Sequence, residues 1–162
     1  MTLVLGSTSF TSYDVTASTL ADVVSIISGR SEAGECTWAI AYTYESVGRD
    51  GKPRGLSVDA SINILMPNWV GRDSARAVER VEWDRFRAAL RAHEDGHDSR
   101  ARVGIQALHD KLEDTAARRL PTVYAAEKRR IQRESNAYDH ATNHGQRPPP
   151  GTIITIPAPP RP

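Results

Sequence analysis

From Ser74 to Leu112 the apolar residues recur at the spacing of one helical face, and two histidines share that face. Counting about 100° per residue from Val78, residues Phe86, Ala89, Leu90, Gly104 and Leu108 fall on a single stripe with His93 and His97. Arg76, Arg80, Arg87, Arg91 and Arg102 supply much of the polar remainder. A helix of this kind cannot stand alone. Its inner face demands a packing partner, and its imidazoles demand hydrogen-bond or metal partners within that packing.

The two histidines belong to the pentapeptide His93-Glu94-Asp95-Gly96-His97, an H-E-x-x-H arrangement. On a helix, positions i and i+4 lie one turn apart, so two neutral imidazole nitrogens can reach one metal ion. Glu94 falls at the edge of the stripe, where its carboxylate can take a proton from a metal-activated water. The spacing predicts a zinc hydrolase site.

Length and charge narrow the alternatives. A chain of 162 residues is long enough to bury a core without disulfides, and a net charge of +1 does not suggest a nucleic-acid or membrane partner. Arg118, Arg119, Lys128, Arg129, Arg130 and Arg133 cluster in one segment, which reads as a solvated helix face rather than an anion-binding patch. Cys36 is the only cysteine, which excludes an intrachain disulfide and a thiolate-rich zinc site. Any zinc must therefore be held by histidine and carboxylate. The opening residues lack the pattern of a signal peptide, and no stretch approaches membrane-spanning length.

The first seventy residues have a different rhythm. Thr11 to Val15 can form a short strand, followed by a helix that Ser18 or Thr19 can cap and Gly29 can end, with Leu20, Val23, Val24 and Ile27 inward. Trp38, Ile40, Tyr42 and Tyr44 then alternate along one strand, and Leu56, Val58, Ala60, Ile62 and Ile64 along another. Gly48, Asp50-Gly51, Pro53 and Gly55 between them predict a hairpin and antiparallel pairing, with Pro67 ending the second strand.

The helical pattern runs from Ser74 to about Ala137 with a break near Leu120-Pro121, which predicts an antiparallel helical hairpin. That hairpin returns Tyr138-Asp139-His140-Ala141-Thr142-Asn143-His144-Gly145 toward His93. A zinc site of this type needs a third protein ligand, and His144 and Asp139 are the foremost candidates, ahead of His140 and His109. His109, at least three turns beyond His97, reads as a surface histidine. After Gly145, seven of the ten prolines fall within the last fifteen residues, and residues 146–162 read as an extended tether with Gly151 to Ile156 able to add to a sheet edge.

These residues also resemble a bacterial family, DUF922, whose members are described as predicted zinc-dependent proteases, often secreted. The resemblance rests on Tyr13-Asp-Val15, Thr37-Trp38, Leu65 to Trp69, the His-Glu-x-Gly-His core at His93 to His97, and the Tyr-Asp-x-x-Thr-x-His-Gly end at Tyr138 to Gly145. It implies that His93, Glu94, His97, Tyr138, Asp139, Thr142, His144 and Gly145 form one site. His140 falls on a variable place of that pattern, and the proline tail lies outside it.

The expectation is an α+β fold: a small N-terminal antiparallel sheet with one helix over residues 1–70, then a long helical hairpin carrying HExxH over 74–145. Residues 1–145 would form one metallopeptidase-like domain. The expected activity is zinc-dependent hydrolysis of a peptide or protein substrate, with His93, His97 and His144 as ligands, Asp139 as a ligand or as partner to one, Glu94 as general base, and Tyr138 placed to stabilise the oxyanion. The alternative is a non-catalytic, zinc-stabilised adaptor that engages a protein partner through its proline-rich tail. A nucleic-acid module acting through Arg118 to Arg133 would lack the usual aromatic stacking positions. As written the chain suggests a cytoplasmic protein, whereas the resemblance suggests a secreted or cell-envelope one.

Overall fold

The computed structural model describes residues 2–143. The elements run β1 (Thr2–Leu5), β2 (Ser9–Val15), α1 (Leu20–Ser28), β3 (Glu35–Thr43), β4 (Ser46–Val47), β5 (Pro53–Arg54), β6 (Ser57–Trp69), α2 (Ala77–Glu113) and α3 (Leu120–Thr142), with single turns of 3-10 helix before α2 and α3. Strands and helices both contribute, giving an α+β chain. No helix among the described residues is long and apolar enough to cross a membrane.

The 13-residue β6 organises the main sheet and pairs with β1, β2 and β3. Its partner β1 runs parallel, from Thr2 opposite Ser57 to Leu5 opposite Ala60. Contacts with β2 advance together along both strands: Ser9 Oγ donates to Ile62 O, Asn68 Nδ2 to Asp14 Oδ1, and Val70 N to Val15 O. The main sheet therefore contains parallel pairing, and the expectation of a wholly antiparallel sheet is corrected. Parallel pairing needs a long connection, and here α1, β3 and the β4–β5 hairpin supply it between β2 and β6. That hairpin is antiparallel, Ser46 opposite Arg54; Gly51 in its turn and Gly55 just after β5 have φ values of 76° and 63°, which favour a residue without a side chain.

Two further expectations change. β6 continues through Pro67 to Trp69 instead of ending at the proline, which is buried within the strand. A proline is tolerated in a strand where its nitrogen is not asked to donate to a neighbour. Val78, placed on the helical stripe, is 63% exposed because the buried face of α2 runs instead through its neighbours Glu79 and Trp83.

The chain clusters into two compact units: residues 2–9, 37–63 and 97–138 in the first, and 10–36, 64–96 and 139–143 in the second. In the first, Val58 and Ile62 of β6 are buried, as are Ile105, Leu108 and Leu112 of α2 and Leu120 and Ile131 of α3. Contacts between the helices there grow steadily in sequence separation, from Lys111–Glu127 to Gly104–Ile131 to His97–Ser135. Gly104 is required by this approach, since a methyl group on it would stand 2.6 Å from Ile131 Cγ1.

In the second unit, Val15, Val23, Ile27, Trp69, Ala75 and Trp83 form a core, with Trp69 and Trp83 edge to face at 5.9 Å between ring centres. The Trp69 indole N–H donates to Ala17 O at 2.7 Å. Helix α1 starts as the sequence predicts: Thr19 Oγ1 accepts from Asp22 N, and Gly29 ends the helix. A less expected device is Glu79, in the first turn of α2. One of its oxygens accepts from the N–H of Leu20, the first residue of α1, and the other from the N–H and Nε of Arg76. The second contact is the reach-back half of a capping box. Arg76 above all, then the two backbone N–H groups, lowers the Glu79 carboxyl to about 2.

Candidate metal centre

His93 and His97 lie on consecutive turns of α2, and Asp139 lies in the last turns of α3. One donor atom from each of the three lies within 4.8 Å of the other two. Bonds of about 2 Å put two ligands of a tetrahedral zinc ion about 3.3 Å apart. The separation of His93 Nε2 from Asp139 Oδ1 is 3.3 Å. Two imidazoles and a carboxylate are also a donor set that zinc accepts, so the residues present fit the metal that the spacing implies.

The ring nitrogens on the far side of each imidazole meet hydroxyl groups. Thr142 Oγ1 lies 3.4 Å from His93 Nδ1 and also donates to Asp139 O. Ser135 Oγ lies 2.8 Å from His97 Nδ1. Such contacts fix ring orientation, which is the usual task of groups behind metal ligands. Thr142 belongs to the set of site residues that the resemblance implies, whereas Ser135 does not. Its signal was present in the sequence, because 135, 139 and 142 share one helical face.

Glu94 is more deeply placed than the edge of a stripe would suggest, with 3% of its surface exposed. Burial raises its carboxyl to about 8, assisted by the negative charge of Asp139 and then of Glu32 and Glu35, while the backbone N–H of Cys36 acts in the opposite sense. Three neighbouring carboxylates make the surroundings of this buried carboxyl electrostatically negative. A dication is the natural complement.

Tyr138 is buried and stands edge-on to His97, with ring centres 4.9 Å apart. The guanidinium of Arg100 covers the other ring face at 3.8 Å. His140 is exposed and is not part of the cluster. His109 is not the surface residue expected: its side chain is 13% exposed, Nδ1 lies 3.0 Å from Asp110 Oδ1, and Nε2 is buried without a hydrogen-bond partner. His144 and Gly145 lie outside the described residues, as does the proline tail. Helix α3 closes at Asn143, which takes the left-handed conformation common at a helix end, with φ of 50°.

Neither a curated protein nor a solved structure matches this chain. The profile of one family, described as a bacterial protein of unknown function, DUF922, matches residues 10–145. That span takes in the histidine pair, Glu94 and Asp139 together and covers well over half of the 162 residues, and the chain accordingly belongs to DUF922.

Proposed function

We propose that the chain is a zinc-dependent metallopeptidase of the HExxH type, with α2 and α3 acting as the helical hairpin that carries its site. The observation that carries this reading is the convergence of His93, His97 and Asp139 next to the buried Glu94. When bound, zinc supplies a positive charge that polarises the scissile carbonyl, activates a water molecule and favours the ionised form of Glu94. His93, His97 and Asp139 hold the ion, with His144 as the other candidate for third ligand. Thr142 and Ser135 keep the two imidazoles in register. Glu94 takes the proton from the attacking water and passes it to the departing amine. Tyr138 buttresses His97 with its ring, and its hydroxyl serves as a donor toward the developing oxyanion. Residues 1–145 act as one peptidase domain, and the tail at 146–162 as a tether with capacity to dock on a protein partner.

The test combines metal analysis with chelator-sensitive cleavage of a mixed peptide library. The parent protein should carry zinc and cleave. Glu94→Gln should keep the zinc and lose at least about a hundredfold in rate. Equal cleavage by parent and variant would remove Glu94 from the chemistry, and zinc without cleavage by the parent would favour the structural-metal adaptor. Asp139→Ala should lose zinc while His144→Ala keeps it; the reverse result would transfer the third-ligand role to His144.

A further inference from the structure

Residues 33–36 pass the Glu94 carboxylate at close range, although they lie some sixty positions away in sequence. A methyl group on Gly34 would stand 2.9 Å from Glu94 Oε1 and 3.2 Å from each terminal carbon of Leu90. Only a residue without a side chain fits there unless Glu94 moves. Two positions on, the backbone N–H of Cys36 donates to the same carboxylate. One position before Gly34, the carbonyl of Ala33 accepts from the Tyr13 hydroxyl at 2.7 Å.

Residues 29–34 form turns and bends before β3 begins at Glu35, and Ala33 and Cys36 pack against the core of Ile64, Met66 and Leu90. Tyr13 is fixed as well. It belongs to β2, packs with Ala33 against the Trp69–Trp83 core, and carries the Arg30 guanidinium 3.9 Å above its ring.

We propose that Ala33–Cys36 is a strap that sets the direction of the Glu94 carboxylate, with the Tyr13 hydroxyl as its anchor and the bare Gly34 as its spacer. This rests on the reading of Glu94 as the proton carrier. An N–H donated to a carboxylate restricts rotation of the group, and so fixes which way the remaining lone pairs point. Glutamate has three side-chain torsions, and a displacement of about 1 Å at a reacting group can cost about a hundredfold in rate. Tyr13 and Gly34 touch neither substrate nor metal on this account. They are positioning residues, which act through a short stretch of backbone.

The test uses the full-length zinc-loaded protein and two substitutions. Tyr13→Phe keeps the ring and its cover by Arg30 but removes the hydrogen bond to Ala33. Gly34→Ala adds the one methyl group for which no room is left. Each should speed hydrogen exchange at the Cys36 amide by at least about tenfold and lower kcat by about tenfold or more. KM should stay within about twofold, and zinc content should not change. In a Glu94→Gln background the effect of Tyr13→Phe on residual turnover should disappear, which a general loss of stability would not produce. Unchanged Cys36 exchange in the Tyr13→Phe protein overturns the strap, and this measurement decides the matter even if no substrate is cleaved. Faster exchange with unaltered kcat in an active enzyme overturns its part in catalysis. Failure of the parent to cleave any peptide counts against the peptidase reading alone.

Discussion

Replacing Glu94 by glutamine should stabilise the metal-free protein, and the gain should depend on pH in a defined way. In the unfolded chain the carboxyl titrates near 4.5, whereas burial and the neighbouring carboxylates raise it to about 8 in the fold. Between these values the unfolded chain has released the proton and the folded chain still binds it. Stability must then fall as pH rises, by about 1.4 kcal/mol per pH unit from this group. By pH 7 the penalty reaches about 3 kcal/mol, and it levels off above pH 8. Glutamine keeps the shape and can accept from Cys36 N–H, but it has no proton to lose. The variant should therefore match the parent near pH 4.5 and exceed it by about 3 kcal/mol at pH 7, equivalent to about 6–12 °C in Tm for a domain of this size. The assay is urea unfolding of chelator-treated parent and variant at pH 4.5, 6, 7 and 8, followed by tryptophan emission. Titrating groups that do not interact with Glu94 cancel in the difference between the two proteins. Restoring zinc should flatten the dependence in the parent, because the cation favours the ionised carboxylate, and binding should release protons. A difference that stays constant from pH 4.5 to 8, or a variant less stable than the parent at pH 7, would refute the placement of Glu94 in a buried, negatively charged environment.

Two further expectations concern the frame around the site. Gly104→Ala gains up to about 1 kcal/mol of helix propensity but forces a methyl group to within 2.6 Å of Ile131 Cγ1, so a net loss of about 1–2 kcal/mol should appear in urea unfolding, and a stabilised variant would show that the helices can move apart freely. Glu79→Gln should lower stability at neutral pH and remove part of the acid limb: the lowered carboxyl supports the fold fully above pH 4.5 and loses that support as pH falls toward 2, so a variant with the parent's acid profile by circular dichroism would contradict the role given to Glu79.

What the sequence discloses follows from the range of each interaction. Thr19 and Gly29 mark the ends of α1 because capping is settled within one turn of chain. The inward pair His93 and His97 is legible because helical periodicity is local, and Asp139 is reachable as a candidate because a break at Leu120-Pro121 fixes where the next helix can begin. Strand β1 escapes notice: four residues are too few for a periodic signal, and its partner lies more than fifty positions downstream. Pro67 misleads because its effect depends on which neighbour its nitrogen faces, a matter of tertiary structure. Gly34 and Cys36 carry no trace of their approach to Glu94, since nothing in local spacing records a contact across some sixty residues. Ser135 was legible in principle, but only once Asp139 and Thr142 had been recognised as facing the same way.

The edge-to-face pair of Trp69 and Trp83 gives one unit of this chain its own optical signature. Both indoles are buried, whereas Trp38, in the other unit, is only half-buried and lies 5.9 Å from the Lys128 ammonium. Asymmetric coupling between two fixed chromophores yields strong near-ultraviolet dichroism that vanishes as soon as their mutual angle is lost. Melting of the compartment holding Glu94 and its strap can thus be watched through this dichroism in unlabelled protein.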